Sequence, residues 1–140
     1  MLDKELNRLS ELAKARGNPF RVLIVDDEKW IRETFKDFCE TTEAVEVDMA
    51  FDGAEAVKKV RSGLYDLVTV DLIMPEMSGI EVLNEIKMAS PNIPVIVVTG
   101  NATEKLVNEA GVMGACGVLY KPVNLADFVS EVASTLIGKS

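Results

Sequence analysis

The stretch VTVDLIMP, residues 68–75, is a mostly apolar run of strand length that ends in a carboxylate and then meets a proline. Runs rich in β-branched residues are typical of strands that are buried on both faces of a parallel sheet. Proline cannot donate a hydrogen bond to a neighbouring strand, so the strand ends before it. The stretch therefore places one acidic side chain, Asp71, at the carboxyl end of a buried strand.

The rest of the chain repeats this pattern, since apolar runs of strand length alternate five times with longer segments of helical period. The predicted strands cover residues 21–25, 45–50, 64–70, 93–99 and 117–120, and the predicted helices cover residues 29–40, 53–62, 79–89, 103–111 and 125–136. Parallel strands joined by right-handed helical crossovers form a doubly wound sheet with helices on both faces. The predicted fold class is therefore α/β, a doubly wound five-stranded parallel sheet with five helices.

Residues 1–19 are predicted to form an extra N-terminal amphipathic helix ahead of a domain that covers residues 20–140. Apolar side chains repeat there at helical spacing, and the pattern ends at Gly17 and Pro19. A helix of about four turns is only marginally stable alone. We therefore expect it to pack on the domain or to pair with a second copy in a homodimer.

Composition excludes several classes of function. The chain has no histidine, which removes histidine-based acid–base catalysis and histidine metal ligation. Its net charge of −8 argues against direct binding of nucleic acid. The apolar runs are short and the first residues do not have the layout of a signal peptide, so we expect a cytoplasmic protein that does not contact a membrane. The two cysteines, Cys39 and Cys116, are expected to be packed, reduced thiols.

The ends of the predicted strands carry the candidate site, because ligands of open α/β sheets bind beyond the carboxyl ends of the strands. The first strand runs into Asp26 and Asp27, the third into Asp71 and the fourth into Thr99, while Lys121 follows the fifth. If the first and third strands are neighbours, three carboxylates converge there, with a hydroxyl and an ammonium beside them. Each signal alone has a plainer interpretation as a helix cap, a turn acid or a solvated loop. Their coincidence at four of five strand ends favours a functional site.

Three converging carboxylates repel one another, and a hard divalent cation with oxygen ligands relieves that repulsion. We therefore predict Mg²⁺ at this site. A bound cation also makes the site attract phosphate. Asp71 is then placed as a carboxylate nucleophile facing an incoming phosphoryl group, with the metal and Lys121 neutralising the phosphoryl oxygens.

Four motifs carry a family resemblance: LIVDDE, VDLIMPEMSGIEVL, VIVVTGN and GACGVLYKP. Over residues 20–137 the sequence resembles a bacterial response-regulator receiver domain of the chemotaxis-regulator type. The resemblance implies a flavodoxin-like strand order of 2-1-3-4-5. It also implies a phosphorylation-activated switch of a two-component system rather than an enzyme, with a histidine kinase or a histidine phosphotransfer protein as the phosphodonor.

The resemblance also implies a role for each candidate residue. Asp71 is the implied phosphoacceptor, Thr99 is implied to hydrogen-bond the phosphoryl group, and Lys121 is implied to pair with it. The peptide bond before Pro122 is implied to be cis. The implied magnesium ligands are three carboxylates and one backbone carbonyl, namely Asp26, Asp27, Asp71 and the carbonyl oxygen of Ile73.

One position departs from the family pattern. Three residues before Lys121, where receiver domains usually carry an inward-turning aromatic residue, this chain has Val118. The implied output surface is the face formed by the fourth helix, fifth strand and fifth helix of the domain, where a downstream protein is expected to bind. A second hypothesis follows from Ile73, whose branched side chain two residues past Asp71 is expected to crowd hydrolytic water and to prolong the life of the phosphorylated state.

Two other classes of protein fit less well. A haloacid-dehalogenase-like phosphatase needs a second acid where this chain has Ile73. A flavodoxin-like carrier of flavin mononucleotide needs a glycine- and hydroxyl-rich loop where this chain has two aspartates. The remaining alternative is a receiver-like interaction module that is not phosphorylated in the cell.

Overall fold

A computed structural model describes residues 2–74 and 78–139 of the chain. The proline of the opening stretch, Pro75, lies outside the described residues. The strands are β1 Phe20–Val25, β2 Val45–Ala50, β3 Leu67–Val70, β4 Val95–Thr99 and β5 Gly117–Tyr120. The helices are α1 Leu2–Arg16, α2 Lys29–Glu40, α3 Gly53–Val60, α4 Gly79–Ala89, α5 Glu104–Val112 and α6 Leu125–Lys139.

The five strands form one sheet in the order β2-β1-β3-β4-β5, and every neighbouring pair is parallel. The predicted fold class and strand order are confirmed. β3 begins at Leu67 rather than at residue 64, because Gly63 adopts a positive φ of 77° and Leu64 is exposed in the turn that follows. β4 begins at Val95 rather than at residue 93, since the N–H of Ile93 closes a turn with the carbonyl of Ser90.

Two apolar clusters hold the helices against the two faces of the sheet. The first contains inward side chains of α1, α2 and α6, including Phe35 and Phe128, whose rings stack with centroids 3.9 Å apart. The second lies under α3, α4 and α5 and includes Leu83 and Ile86, both 0% exposed. β3 is buried along its whole length, because it lies at the centre of the sheet with a cluster on each face.

The N-terminal helix α1 packs on α6. Leu9 and Ala13 are buried, and the Glu5 carboxylate accepts hydrogen bonds from the hydroxyls of Ser130 and Ser134 at 3.1 Å. Gly17 ends the helix with a φ of 82°, a conformation that glycine adopts without strain. Because the apolar stripe of α1 is already buried inside one chain, pairing through that stripe would require Leu9, which is 1% exposed, to leave the core.

The expectation of two packed cysteines is half wrong. Cys39 on α2 is 2% exposed, and burial raises the pKa of its thiol to about 12. Cys116 is exposed, because it precedes β5, an edge strand of the sheet that is only partly covered.

Within the described residues, no helix combines the length and the apolar character that a membrane span requires.

Candidate functional site

The strand order places the predicted acidic residues side by side. Val25 of β1 is in register with Val70 of β3, so the next residues, Asp26 and Asp71, lie next to each other at the carboxyl edge. The N–H of Asp71 donates to the carbonyl of Val25 at 3.1 Å, which continues the parallel pairing by one residue. Both side chains lie inside the site, since Asp26 is 3% exposed and Asp71 is 5% exposed.

Strands β4 and β5 supply the hydroxyl and the ammonium. Thr99 ends β4, the neighbour of β3, and the N–H of Lys121 donates to the Thr99 carbonyl at 2.8 Å. Lys121 thus follows the end of β5, and its side chain reaches back across the sheet edge towards Asp71. The bond between Lys121 and Pro122 is cis, as the resemblance implied.

A cluster of carboxylate oxygens forms at this edge. Asp26, Asp27, Glu28 and Asp71 each offer one oxygen, and these oxygens all lie within 4.8 Å of one another. Oxygen-only donor sets suit hard cations such as Mg²⁺, and two of these acids are buried, so the cluster is able to hold a metal ion. The structure brings together the three predicted carboxylates and adds Glu28, which the sequence analysis did not select.

Lys121 is the cation at the centre of this cluster. Its Nζ atom lies 2.8 Å from Asp71 Oδ2, 2.9 Å from Asp26 Oδ2 and 3.2 Å from Glu28 Oε1. Burial by itself would lower the pKa of Lys121, but its hydrogen bonds with Asp71 and Asp26 outweigh burial and raise that pKa. The side chain therefore stays charged at every physiological pH.

The pKa of Asp26 is raised above its ordinary value. Burial raises its pKa, and the hydrogen bond from the N–H of Glu28 at 2.9 Å and the contact with Lys121 offset only part of that rise. A buried carboxylate with a raised pKa gains most from an added positive charge.

Asp71 is held at both of its oxygens. Oδ2 contacts Lys121, and Oδ1 accepts a hydrogen bond from the backbone N–H of Ile73 at 2.9 Å. Ile73 lies in the loop after β3 and its side chain is 48% exposed. Gly79, at the start of α4, donates to the Leu72 carbonyl at 3.0 Å and packs so closely that an added Cβ would collide with the backbone of residues 71 and 72.

Thr99 has an unsatisfied hydroxyl. The residue is 0% exposed, and its Oγ1 has no hydrogen-bond partner in the part of the chain that the structure describes. Buried hydroxyls are almost always paired, because an unpaired one costs free energy of folding. This unpaired donor at the edge of the acidic cluster fits a ligand oxygen, which a phosphoryl group supplies.

Arg32 is a second cation that the sequence analysis missed. It lies on α2, one turn after Glu28, and is 3% exposed. Its Nη1 donates a hydrogen bond to the backbone carbonyl of Asp26. Its guanidinium group covers the Phe51 ring, with the guanidinium carbon 4.0 Å from the ring centroid. Four acids and two cations leave this edge with two negative charges, a balance that one divalent cation would neutralise. In the sequence, the burial of Arg32 is indicated only by its position beside Ile31 on the apolar side of α2.

A groove of about 810 Å³ opens beside the cluster. Trp30 and Ile31 of α2 line one wall, while Pro122 and Val123 line the other. Asp71 also borders the groove.

The departure at Val118 is visible in the fold. Val118 is partly buried against the cluster under α5, and Tyr120 at the end of β5 is 60% exposed. The inner position of β5 is thus occupied by a valine and not by an aromatic side chain.

Residues 22–133 match the sequence pattern of the family described as the response regulator receiver domain. The chain belongs to this family. The receiver domain is 36% identical to the chemotaxis protein CheY of Treponema pallidum over 126 residues, which cover 88% of this chain and 87% of that protein. It is 34% identical to CheY of Bacillus subtilis over 116 residues, which cover 83% of this chain and 97% of that one.

Solved structures agree with these relatives. The receiver domain resembles the CheY-like receiver domain protein of Methanospirillum hungatei with a TM-score of 0.83 and 30% identity, over 87% of this chain and 97% of the other. The chain is thus a CheY-like receiver domain of the kind found in two-component signalling.

Proposed function

We propose that this receiver domain is a phosphorylation-activated switch, in which Asp71 accepts a phosphoryl group in a Mg²⁺-dependent reaction. The observation that carries the proposal is the setting of Asp71: a buried carboxylate 2.8 Å from the Lys121 ammonium, next to a strand that ends in the unpaired hydroxyl of Thr99. These groups provide a nucleophile, a fixed positive charge and a free hydrogen-bond donor at one edge of the sheet.

In the proposed reaction an Asp71 oxygen attacks phosphorus, the bond between phosphorus and the donor's nitrogen breaks, and that nitrogen keeps the electron pair. Lys121 neutralises charge on the transferred oxygens, and Thr99 donates its hydroxyl proton in a hydrogen bond to one of them. The N–H of Ile73 holds the second carboxylate oxygen in place. Because the chain has no histidine, the phosphohistidine belongs to a partner, a histidine kinase or a histidine phosphotransfer protein.

The residues that would hold the metal are Asp26, Asp27 and Asp71, together with the backbone carbonyl of Ile73. A bound Mg²⁺ ion would supply positive charge that offsets the charge of these carboxylates and of the phosphoryl group. The raised pKa of Asp26 supports this assignment, since burial leaves that carboxylate short of positive charge.

Two surfaces are proposed for partners in the cytoplasm. The phosphodonor docks in the groove between α2 and the segment after β5, because that groove leads to Asp71 and has apolar walls at Ile31 and Val123. The downstream protein docks on α5, β5 and α6, where Val112 is 88% exposed and Tyr120 is 60% exposed. Pairing of two copies through the apolar stripe of α1 would require that stripe to leave the core.

The test is intact-mass spectrometry after incubation with Mg²⁺ and acetyl phosphate. The parent is expected to gain the mass of one phosphoryl group, Asp71→Asn to gain nothing, and a chelator to abolish the gain. Asp37→Asn is the matched control, since Asp37 is an exposed aspartate on α2 outside the cluster. A parent that gains no mass would overturn the proposal and favour an interaction module that is not phosphorylated.

A further inference from the structure

Glu28 occupies an unusual position. It immediately precedes α2, where a side chain commonly accepts a hydrogen bond from the first N–H groups of the helix. Its side chain makes no such bond. Instead, Oε1 lies 3.2 Å from Lys121 Nζ, and Oε2 accepts a hydrogen bond from Trp30 Nε1 at 3.0 Å. Both carboxylate oxygens are thus bound to side chains rather than to the helix.

These contacts form a continuous chain of polar groups from the phosphoacceptor to the surface. Asp71 Oδ2 contacts Lys121 Nζ at 2.8 Å, Lys121 contacts Glu28, and Glu28 holds the indole of Trp30. The Trp30 ring is 66% exposed and lines the groove beside the cluster. The orientation of a groove-lining side chain therefore depends on the position of Glu28.

Glu28 is the least firmly held of the three carboxylates that share Lys121. Its contact with Nζ is the longest, and its side chain is 44% exposed, compared with 4% for Asp26 and 6% for Asp71. The ammonium has three hydrogens, one for each of the three carboxylates, so a further acceptor on Asp71 would have to displace one of them. A phosphoryl group on Asp71 adds negative charge beside Lys121, which attracts the ammonium and repels the nearby Glu28 carboxylate.

We propose that Glu28 is a positioning residue that couples the chemical state of Asp71 to the orientation of Trp30. The inference rests on the proposed phosphorylation of Asp71. Phosphorylation draws Lys121 to the phosphoryl oxygens and displaces Glu28, and the Trp30 indole then loses its fixed hydrogen-bond acceptor. The position of Trp30 in the groove wall changes as a result, so phosphorylation alters the surface of the domain beside α2. This route does not need the aromatic switch residue that Val118 replaces.

Tryptophan fluorescence tests this directly, because Trp30 is the only tryptophan in the sequence. Emission and anisotropy are recorded at saturating Mg²⁺, before and after addition of acetyl phosphate, so that metal binding does not contribute to the change. Intact mass is measured on the same samples. The variant is Glu28→Gln, which keeps the shape of the side chain and removes the charge that phosphate repels. Its matched control is Glu33→Gln, since Glu33 is an exposed glutamate on the same helix whose Oε1 is 3.8 Å from Lys29 Nζ.

The expected result is a red shift of the emission and a loss of anisotropy on phosphorylation in the parent and in Glu33→Gln. In Glu28→Gln the change of emission per phosphorylated molecule, calculated from the mass gained by the same sample, is expected to be small or absent. If the parent gains no mass, the phosphoacceptor proposal fails and this inference fails with it. If the parent gains mass but its emission does not move, or moves equally in Glu28→Gln, this inference alone is overturned.

Discussion

Replacing Thr99 by valine is expected to stabilise the unphosphorylated protein while impairing its reaction with a phosphodonor. The Thr99 hydroxyl is fully buried and has no partner among the described residues. Leaving such a group unpaired costs about 1–3 kcal/mol. Valine has nearly the same shape and is equally suited to a strand, because both side chains are branched at Cβ. The free energy of unfolding should therefore rise by about 1–2 kcal/mol in the Thr99→Val variant.

Urea unfolding followed by circular dichroism measures this change. A gain of 1 kcal/mol corresponds to an increase in Tm of about 4 °C for a domain of this size. Thr135→Val is the control, because the Thr135 hydroxyl donates to the Glu131 carbonyl at 2.8 Å and its removal should bring no gain. With acetyl phosphate, Thr99→Val should gain mass more slowly than the parent, since one donor to the phosphoryl group is missing. The reasoning is refuted if Thr99→Val is less stable than the parent, or if Thr135→Val is stabilised equally.

Three further predictions concern other parts of the structure. Gly79→Ala should lower the free energy of unfolding by about 1–3 kcal/mol in urea titrations and slow phosphorylation, because the new Cβ collides with the backbone at Asp71. An unchanged free energy of unfolding would contradict the close packing of Gly79 on that backbone. Ile73→Asn should shorten the life of the phosphorylated state several-fold in a mass-spectrometric decay assay, because a polar side chain admits water where a branched apolar one excludes it; an unchanged rate would remove that idea. The pKa of Asp48 is lowered, chiefly by the hydrogen bond that Tyr65 donates at 2.6 Å. Burial opposes this shift, and the contact with Arg21 adds to it. A lowered carboxyl pKa contributes stability above the ordinary value of 3.8 that is lost as pH falls through the folded-state value. Asp48→Asn should therefore cost at most about 1 kcal/mol at pH 7, because the Asp48 side chain is 41% exposed, and less in acid; unfolding titrations at neutral and acid pH that show an equal cost would contradict this.

The sheet and the convergence of the three aspartates could be predicted from sequence because both depend on local patterns and general rules of topology. Alternating strand and helix periods indicate a parallel sheet, and in such a sheet every strand end that carries a polar group lies on the same edge. Asp26 and Asp71 follow residues that pair in register, so their juxtaposition needs no knowledge of side-chain packing. The limits of β3 and β4 were less predictable, because apolar residues in a flanking turn resemble those of the strand itself.

Glu28 and Arg32 were missed for a different reason. The contact between Glu28 and Lys121 joins residues 93 positions apart, and it depends on where two long side chains extend rather than on the strand pattern. Arg32 is buried by the Phe51 ring and the Asp26 carbonyl, whereas a basic residue on an amphipathic helix usually lies on the solvated face. The error at Cys116 has a similar origin, since its exposure depends on how little of the edge strand β5 the helices cover.

Isothermal titration calorimetry with Mg²⁺ measures whether Asp26, Asp27 and Asp71 together bind one magnesium ion, on which the proposed reaction of Asp71 depends. The parent and the Asp37→Asn control should each bind a single ion at millimolar concentrations, and Asp71→Asn should bind it far more weakly. Absence of Mg²⁺ binding in the parent, or equal binding in Asp71→Asn, would contradict the account.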